Sequence, residues 1–185
     1  ARNLGAFDRL VTLIEEQLGN VTADSTARDL YLRVARIYEE ELGSNVDAIE
    51  RFRRVLEIEP DHDGAIHALD RLYQKEGMWS DLAEILRAEV GRAEDAAGRI
   101  PVLLRLGSLY ETALDDVPSA IQVFKDVLLE QDEQADAVAA LVRLFEAGHE
   151  RPQIGEILEP LYLERADWPR LHGVLEALLP FKEPG

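Results

Sequence analysis

Along most of the chain, large apolar side chains return every third or fourth residue, with charged and small polar residues between them. That spacing places the apolar set on one stripe of a helix. The stretch from Leu103 to Phe124 shows it most clearly. Leu103, Leu106 and Tyr110 share a face, and Gly107 sits in that face where a neighbouring helix can approach closely. After the turn Leu114-Asp115-Asp116-Val117-Pro118, a second stripe follows, made of Ala120, Ile121, Phe124, Val127 and Leu128. Two short amphipathic helices joined by a tight turn make a helical hairpin. No stretch alternates with a period of two, so no strand is predicted.

The same pattern recurs. A shift of 72 residues lays Tyr38 on Tyr110, Ala48 on Ala120, Ile49 on Ile121, Phe52 on Phe124 and Leu56 on Leu128. Further along it lays Leu69 and Leu72 on Leu141 and Leu144, and upstream Phe7, Leu10 and Leu13 on Trp79, Leu82 and Ile85. Composition alone would match about one position in fifteen, so the register is a duplication. Read this way, the chain is one repeat domain over 1–185. It holds a lone helix at 6–18, hairpins at 28–60, 62–95, 100–132 and 134–165, and a last helix at 168–180, ten helices in all. Near the C-terminus a second register, offset by 89, lays Tyr162 and Trp168 on Tyr73 and Trp79. The segment 152–165 therefore serves two registers, and Pro160 either kinks it or opens a shorter helix.

Small residues at Gly107 and Ala120 with aromatics at Tyr110 and Phe124 resemble the tetratricopeptide repeat, whose period is about 34 residues. The stretch Tyr31-x-x-Val34-Ala35-x-x-Tyr38, then Ala48, Phe52, Val55 and Pro60, is the better match, with Pro60 where the family ends its repeat. The resemblance covers residues 6–179. It implies an all-α, right-handed superhelical solenoid of stacked antiparallel helix pairs, and a non-enzymatic scaffold for protein–protein interaction. A lone hairpin cannot bury its apolar face, so such hairpins stack on their neighbours.

Charge is the strongest compositional fact. The chain has 37 Asp and Glu against 20 Lys and Arg, formally -17. A field of that sign repels phosphate backbones and anionic lipid, so neither nucleic acid nor a membrane surface is an expected partner. No apolar run reaches the roughly 18 residues of a membrane span, and the start at Ala1 is not a signal peptide. The chain has no Cys, which excludes thiolate catalysis and thiolate metal sites. It also begins without Met, as a piece of a longer protein would.

Candidate chemistry is sparse. His62, His67, His149 and His172 are scattered, and Asp61-His62-Asp63-Gly64 lacks the spacing of a calcium loop, so capping or solvation accounts for it. Glu39-Glu40-Glu41 reads as a solvated helix end, since catalytic carboxylates need an enclosed pocket to separate their pKa values. Trp79, Trp168, Tyr38, Tyr73 and Tyr110 recur on apolar stripes and read as core. No phosphate-binding Gly loop, nucleophile elbow or zincin motif is present, so no enzyme, metal or cofactor is expected.

One pattern stands out. Arg36, Arg71 and Arg143 each sit two residues before a helix aromatic, and Arg33 and Arg105 sit five before theirs. By the resemblance, first-helix positions of this kind line a concave groove, and the five arginines would form a basic ladder there. Arginine reads carboxylates in a bidentate fork, so the partner would be a protein or peptide with an acidic segment. The competing reading pairs these arginines with Glu39, Asp70, Glu111 and Glu146. The chaperone-binding clamp known in some family members needs Lys and Asn, where this chain has Leu32, His67, Leu104 and Ala139. An alternative is a structural spacer or self-assembly module, monomeric or weakly dimeric, that uses its open helical ends.

Overall fold

The computed structural model of the chain describes residues 4–181, and the start and the tail 182–185 lie outside them. Among the described residues the fold is all-α, an α-helical repeat of ten helices with no strand, as the spacing predicts. The chain falls into two compact units, Ala1–Ile85 and Leu86–Gly185.

The first unit holds α1 (Leu4–Leu18), α2 (Asp24–Arg36), α3 (Asn45–Ile58), α4 (Asp63–Glu76) and the start of α5 (Trp79–Arg92). α2 begins four residues earlier than its apolar pattern suggests. The polar break 20–26 offers good N-cap residues in its sequence, yet the cap position falls on Ala23, which makes no side-chain hydrogen bond, and Asp24 lies in the first turn instead. Past Arg36 the backbone widens into a π-helical turn, Ile37–Leu42, which ends on Gly43 at φ 70. Glycine fits there because the left-handed conformation crowds any Cβ. α1 packs on this widened segment and on α2. Val11, Ile14, Val34 and Ile37 form the buried cluster, flanked by Phe7, Leu10, Leu30, Tyr38 and Leu42. α2 packs closely on α3, and α3 on α4, burying Ala48, Ile49, Phe52 and Val55 against Ala65, Leu69, Leu72 and Tyr73.

The second unit holds the rest of α5, then α6 (Ala96–Thr112), α7 (Val117–Glu130), α8 (Ala135–Glu146), α9 (Arg151–Glu164) and α10 (Trp168–Leu178), ending in the 3₁₀ turn Leu179–Phe181. The stretch 91–98 mixes small and charged residues, a pattern that fits a helix running on or fraying, and in it 93–95 is a break between α5 and α6. The Asp95 carboxylate accepts from Gly98 N–H at 2.8 Å and starts α6. α6 and α7 make the most extensive pair in the unit. A Cβ added at Gly107 would lie 2.6 Å from Phe124 Cε1, so the expected close approach is real and only glycine permits it.

α9 resolves the two registers. It runs unbroken through Pro160, which is exposed, so the Glu156 carbonyl left without its N–H partner faces water. Its larger interface is with α10, where Gly155 would place a Cβ 2.6 Å from Leu178 Cδ1. The turn between them repeats the one after α4. Asp167 N–H donates to Tyr162 O at 2.9 Å, as Met78 N–H donates to Tyr73 O at 2.9 Å. One aromatic departs from expectation. Trp168, read as core, is 60% exposed because it opens α10 with little packed over it.

Candidate partner-binding surface

All five arginines of the sequence pattern are exposed, Arg33, Arg36 and Arg71 in the first unit and Arg105 and Arg143 in the second. They do not share one role. Arg71 on α4 is ion-paired with Glu39 in the π-helical turn, and that hydrogen bond lifts its pKa above the ordinary guanidinium value. Arg143 on α8 repeats this one duplication later. It grips Glu111 in a fork, Nε to Oε1 at 2.9 Å and Nη2 to Oε2 at 2.6 Å, with the same upward shift from the same cause. The carboxylate side chains of Glu39 and Glu111 are only 13% exposed. These two arginines therefore tie the first helix of one hairpin to the first helix of the next, as the competing reading of the sequence has it.

Arg33 and Arg36 lie differently. With Phe7, Leu10, Asp29, Leu32, Ile37, Glu40 and Glu41 they line an open depression of about 480 Å³. Guanidinium, carboxylate and apolar groups alternate around it. Such a surface suits a segment of mixed chemistry rather than a uniformly acidic one.

Sequence reasoning missed a second set of arginines. Arg51 stacks on Tyr38 at 5.7 Å, Arg53 on Tyr73 at 5.3 Å, Arg87 on Tyr110 at 5.3 Å and Arg151 on Phe145 at 5.9 Å. The aromatics near the ends of α2, α4, α6 and α8 thus face an arginine as well as the core, in the geometry of a cation–π contact. Only their spacing on the apolar stripe was visible in the sequence, since the stacked arginines come from other helices. No family model matches the chain. No curated protein matches it either.

The remaining candidates fall out plainly. His62 caps α4, its Nδ1 accepting from Ala65 N–H at 3.1 Å, while His67, His149 and His172 are exposed. Among the described residues no group of three His, Asp or Glu could hold a metal ion, and no helix is long and apolar enough to cross a membrane.

Proposed function

We propose that this chain is a non-enzymatic protein-interaction module of the tetratricopeptide type, and that its first unit receives a partner segment beside Arg33 and Arg36. The observation that carries this reading is the depression of about 480 Å³, where two exposed guanidinium groups stand next to Phe7, Leu10 and Leu32. An apolar anchor can bury there while a carboxylate meets an arginine fork. Packed helices hold the lining residues in place, which lowers the ordering cost of binding.

Arg71 and Arg143 play a different part in this proposal. Reversing either to Glu sets like charges against Glu39 or Glu111, so a loss of binding in that variant reports loosened helix packing. The clean test is capture of partners from native extract by the chain and by an Arg33→Glu/Arg36→Glu variant whose helicity and melting match the parent. A partner held by the parent and lost from the variant supports the module. Identical captures overturn it.

A second reading has its own observation. Trp168, Leu179 and Phe181 at the C-terminal helix and turn are 60%, 63% and 54% exposed, an apolar group that a second copy of the chain could cover. Sedimentation equilibrium across a hundredfold range of concentration decides it. A single monomer mass throughout removes this reading.

A further inference from the structure

α7 and α9 both pack on α8, and between them the surface opens a furrow of about 320 Å³. Its apolar lining is Leu128 and Leu129 of α7 with Ile157, Pro160 and Leu161 of α9. Its polar lining is Lys125 on the α7 side, with Gln153 and Glu156 on the α9 side. Leu129 is 76% exposed, more than any other large apolar side chain among the described residues. Lys125 and Glu156 are exposed as well, and neither makes a hydrogen bond or an ion pair among the described residues.

The duplication shows that this face can be polar. The shift of 72 lays Glu57 on Leu129 and Glu89 on Leu161, so two glutamates of the first copy stand where the furrow has leucines. It also lays Arg53 on Lys125 and Asp81 on Gln153. Arg53 and Asp81 are ion-paired between α3 and α5, and Glu57 is paired with Arg54. In the second copy the carboxylate has become an amide, and Lys125 is left without that partner. Exposed leucines rimmed by unpaired charges mark a surface that meets another protein.

The charges identify the occupant. Lys125 and Leu129 lie about one turn apart on α7, as Glu156 and Pro160 do on α9. A uniformly acidic or uniformly basic segment would meet a like charge on one wall of the furrow. A second copy of the same furrow would not. We infer that two copies of the chain dock through this furrow as a symmetric dimer. Its twofold axis runs along the furrow and sets α7 of each copy over α9 of the other. Lys125 then meets Glu156, and Leu129 meets Pro160 and Leu161, with each contact made twice.

Each copy is formally -17, and the two repel at long range. At about 0.15 M salt a Debye length of about 8 Å screens that repulsion and leaves contact pairs largely intact. The eight lining residues of the furrow fall well short of the roughly 20–30 a side of a stable complex, so the dimer is weak, with a dissociation constant on the order of 10–100 µM. The contact is separate from the depression beside Arg33 and Arg36, and from the apolar group at Trp168, Leu179 and Phe181.

Sedimentation equilibrium of the whole chain from about 1 µM to about 1 mM, in about 0.15 M salt, tests this. The parent should pass from monomer to dimer. Leu129→Glu should stay monomeric with unchanged helicity. Glu156→Lys makes the chain less negative, so general repulsion alone would tighten the dimer; the pairing with Lys125 requires it to loosen, by about tenfold. Lys125→Glu should loosen it likewise. Lys125→Glu/Glu156→Lys keeps the net charge and should return to within about threefold of the parent. A monomer at about 1 mM, a Leu129→Glu variant that dimerises like the parent, a Glu156→Lys dimer as tight as the parent's, or a double variant that stays loose each overturn the inference. A dimer lost in Trp168→Glu/Phe181→Glu and kept in Leu129→Glu moves the contact to the C-terminal helix and sinks the furrow alone. A monomeric chain whose captured partner is lost in Leu129→Glu has a foreign protein on the furrow, which overturns the second copy as its occupant. Unchanged capture by Arg33→Glu/Arg36→Glu bears only on the first-unit depression, so the two failures are told apart.

Discussion

The hairpins α2–α3 and α6–α7 derive from one pattern and solve the same packing problem with different residues. In each, a phenylalanine of the second helix, Phe52 or Phe124, is buried against the first helix, at 3% and 2% exposure. The duplication shift sets Ala35 in α2 where α6 has Gly107. A Cβ fits at the first site, whereas at the second it would fall 2.6 Å from the Phe124 ring. The end of the first helix differs too. α2 widens into the π-helical turn before Gly43, while α6 ends on Ala113 and reaches its left-handed residue at Asp115, φ 52. The lesson is that the repeat conserves which helices meet, and leaves the spacing between them to single residues.

The sharpest way to break the comparison is to make the two small residues alike. Gly107→Ala should destabilise the protein by about 1–3 kcal/mol, since Phe124 is buried and cannot swing aside. Ala35→Gly should cost about 0.5–1 kcal/mol through backbone freedom inside a helix. Chemical unfolding of both variants checks this, and a Gly107→Ala/Phe124→Leu double variant should recover most of the loss. If Gly107→Ala is neutral, the close approach of α6 and α7 is not as tight as described.

A smaller effect is expected at the turns. Gly43→Ala forces a Cβ into the left-handed region and should cost about 1 kcal/mol or somewhat more, whereas Asp115→Gly relieves that region and should stabilise by less than about 1 kcal/mol. Opposite signs in thermal unfolding confirm that the two turns share one backbone shape. Equal signs refute it.

The smallest difference is electrostatic. Asp116 caps α7, and its hydrogen bonds from Ser119 hold its carboxyl below the usual aspartate value of 3.8. A depressed folded pKa means the stabilisation is present above that ordinary value and is lost as the pH falls through the lower, folded one. Asp116→Asn should therefore lose a little stability at neutral pH and show a flatter acid limb below about pH 4. An NMR titration of the Asp116 carboxyl with a midpoint at or above the ordinary value would contradict the cap.

Much of this was legible in the sequence, and the reasons are local. The three-and-four spacing located every helix, and Gly107 opposite Phe124 announced a close approach because nothing else in that stripe is so small. Gly77 ended α4 as glycine does, at φ 68. What escaped depended on contacts across helices. Of the capping residues in 20–26 none takes the cap of α2, which falls on Ala23, and Pro160 sits inside α9 at an exposed position. α9 is bonded into its turn with α10 in the register offset by 89, a choice the two overlapping patterns left open. Of the five arginines, Arg71 and Arg143 find acidic partners 32 residues away, about one repeat, so the pairing reading was within reach. Arg87 was not. Its stack on Tyr110 crosses from α5 to α6, although the exchange of Glu15 for Arg87 and Arg51 for Val123 was a signal waiting in the shifted alignment.

The caps of α3 and α7 carry a history. At the first, the Ser44 hydroxyl donates to Asp47, and at the second the Asp116 carboxylate accepts from Ser119 N–H at 3.1 Å. Under the duplication shift Ser44 falls on Asp116 and Asp47 on Ser119, so the same two residue types have traded places. Descent from one ancestral hairpin to both arrangements requires two substitutions, and their order matters. A path through two serines keeps a hydroxyl at the cap and adds no charge, while a path through two aspartates sets like charges within one turn.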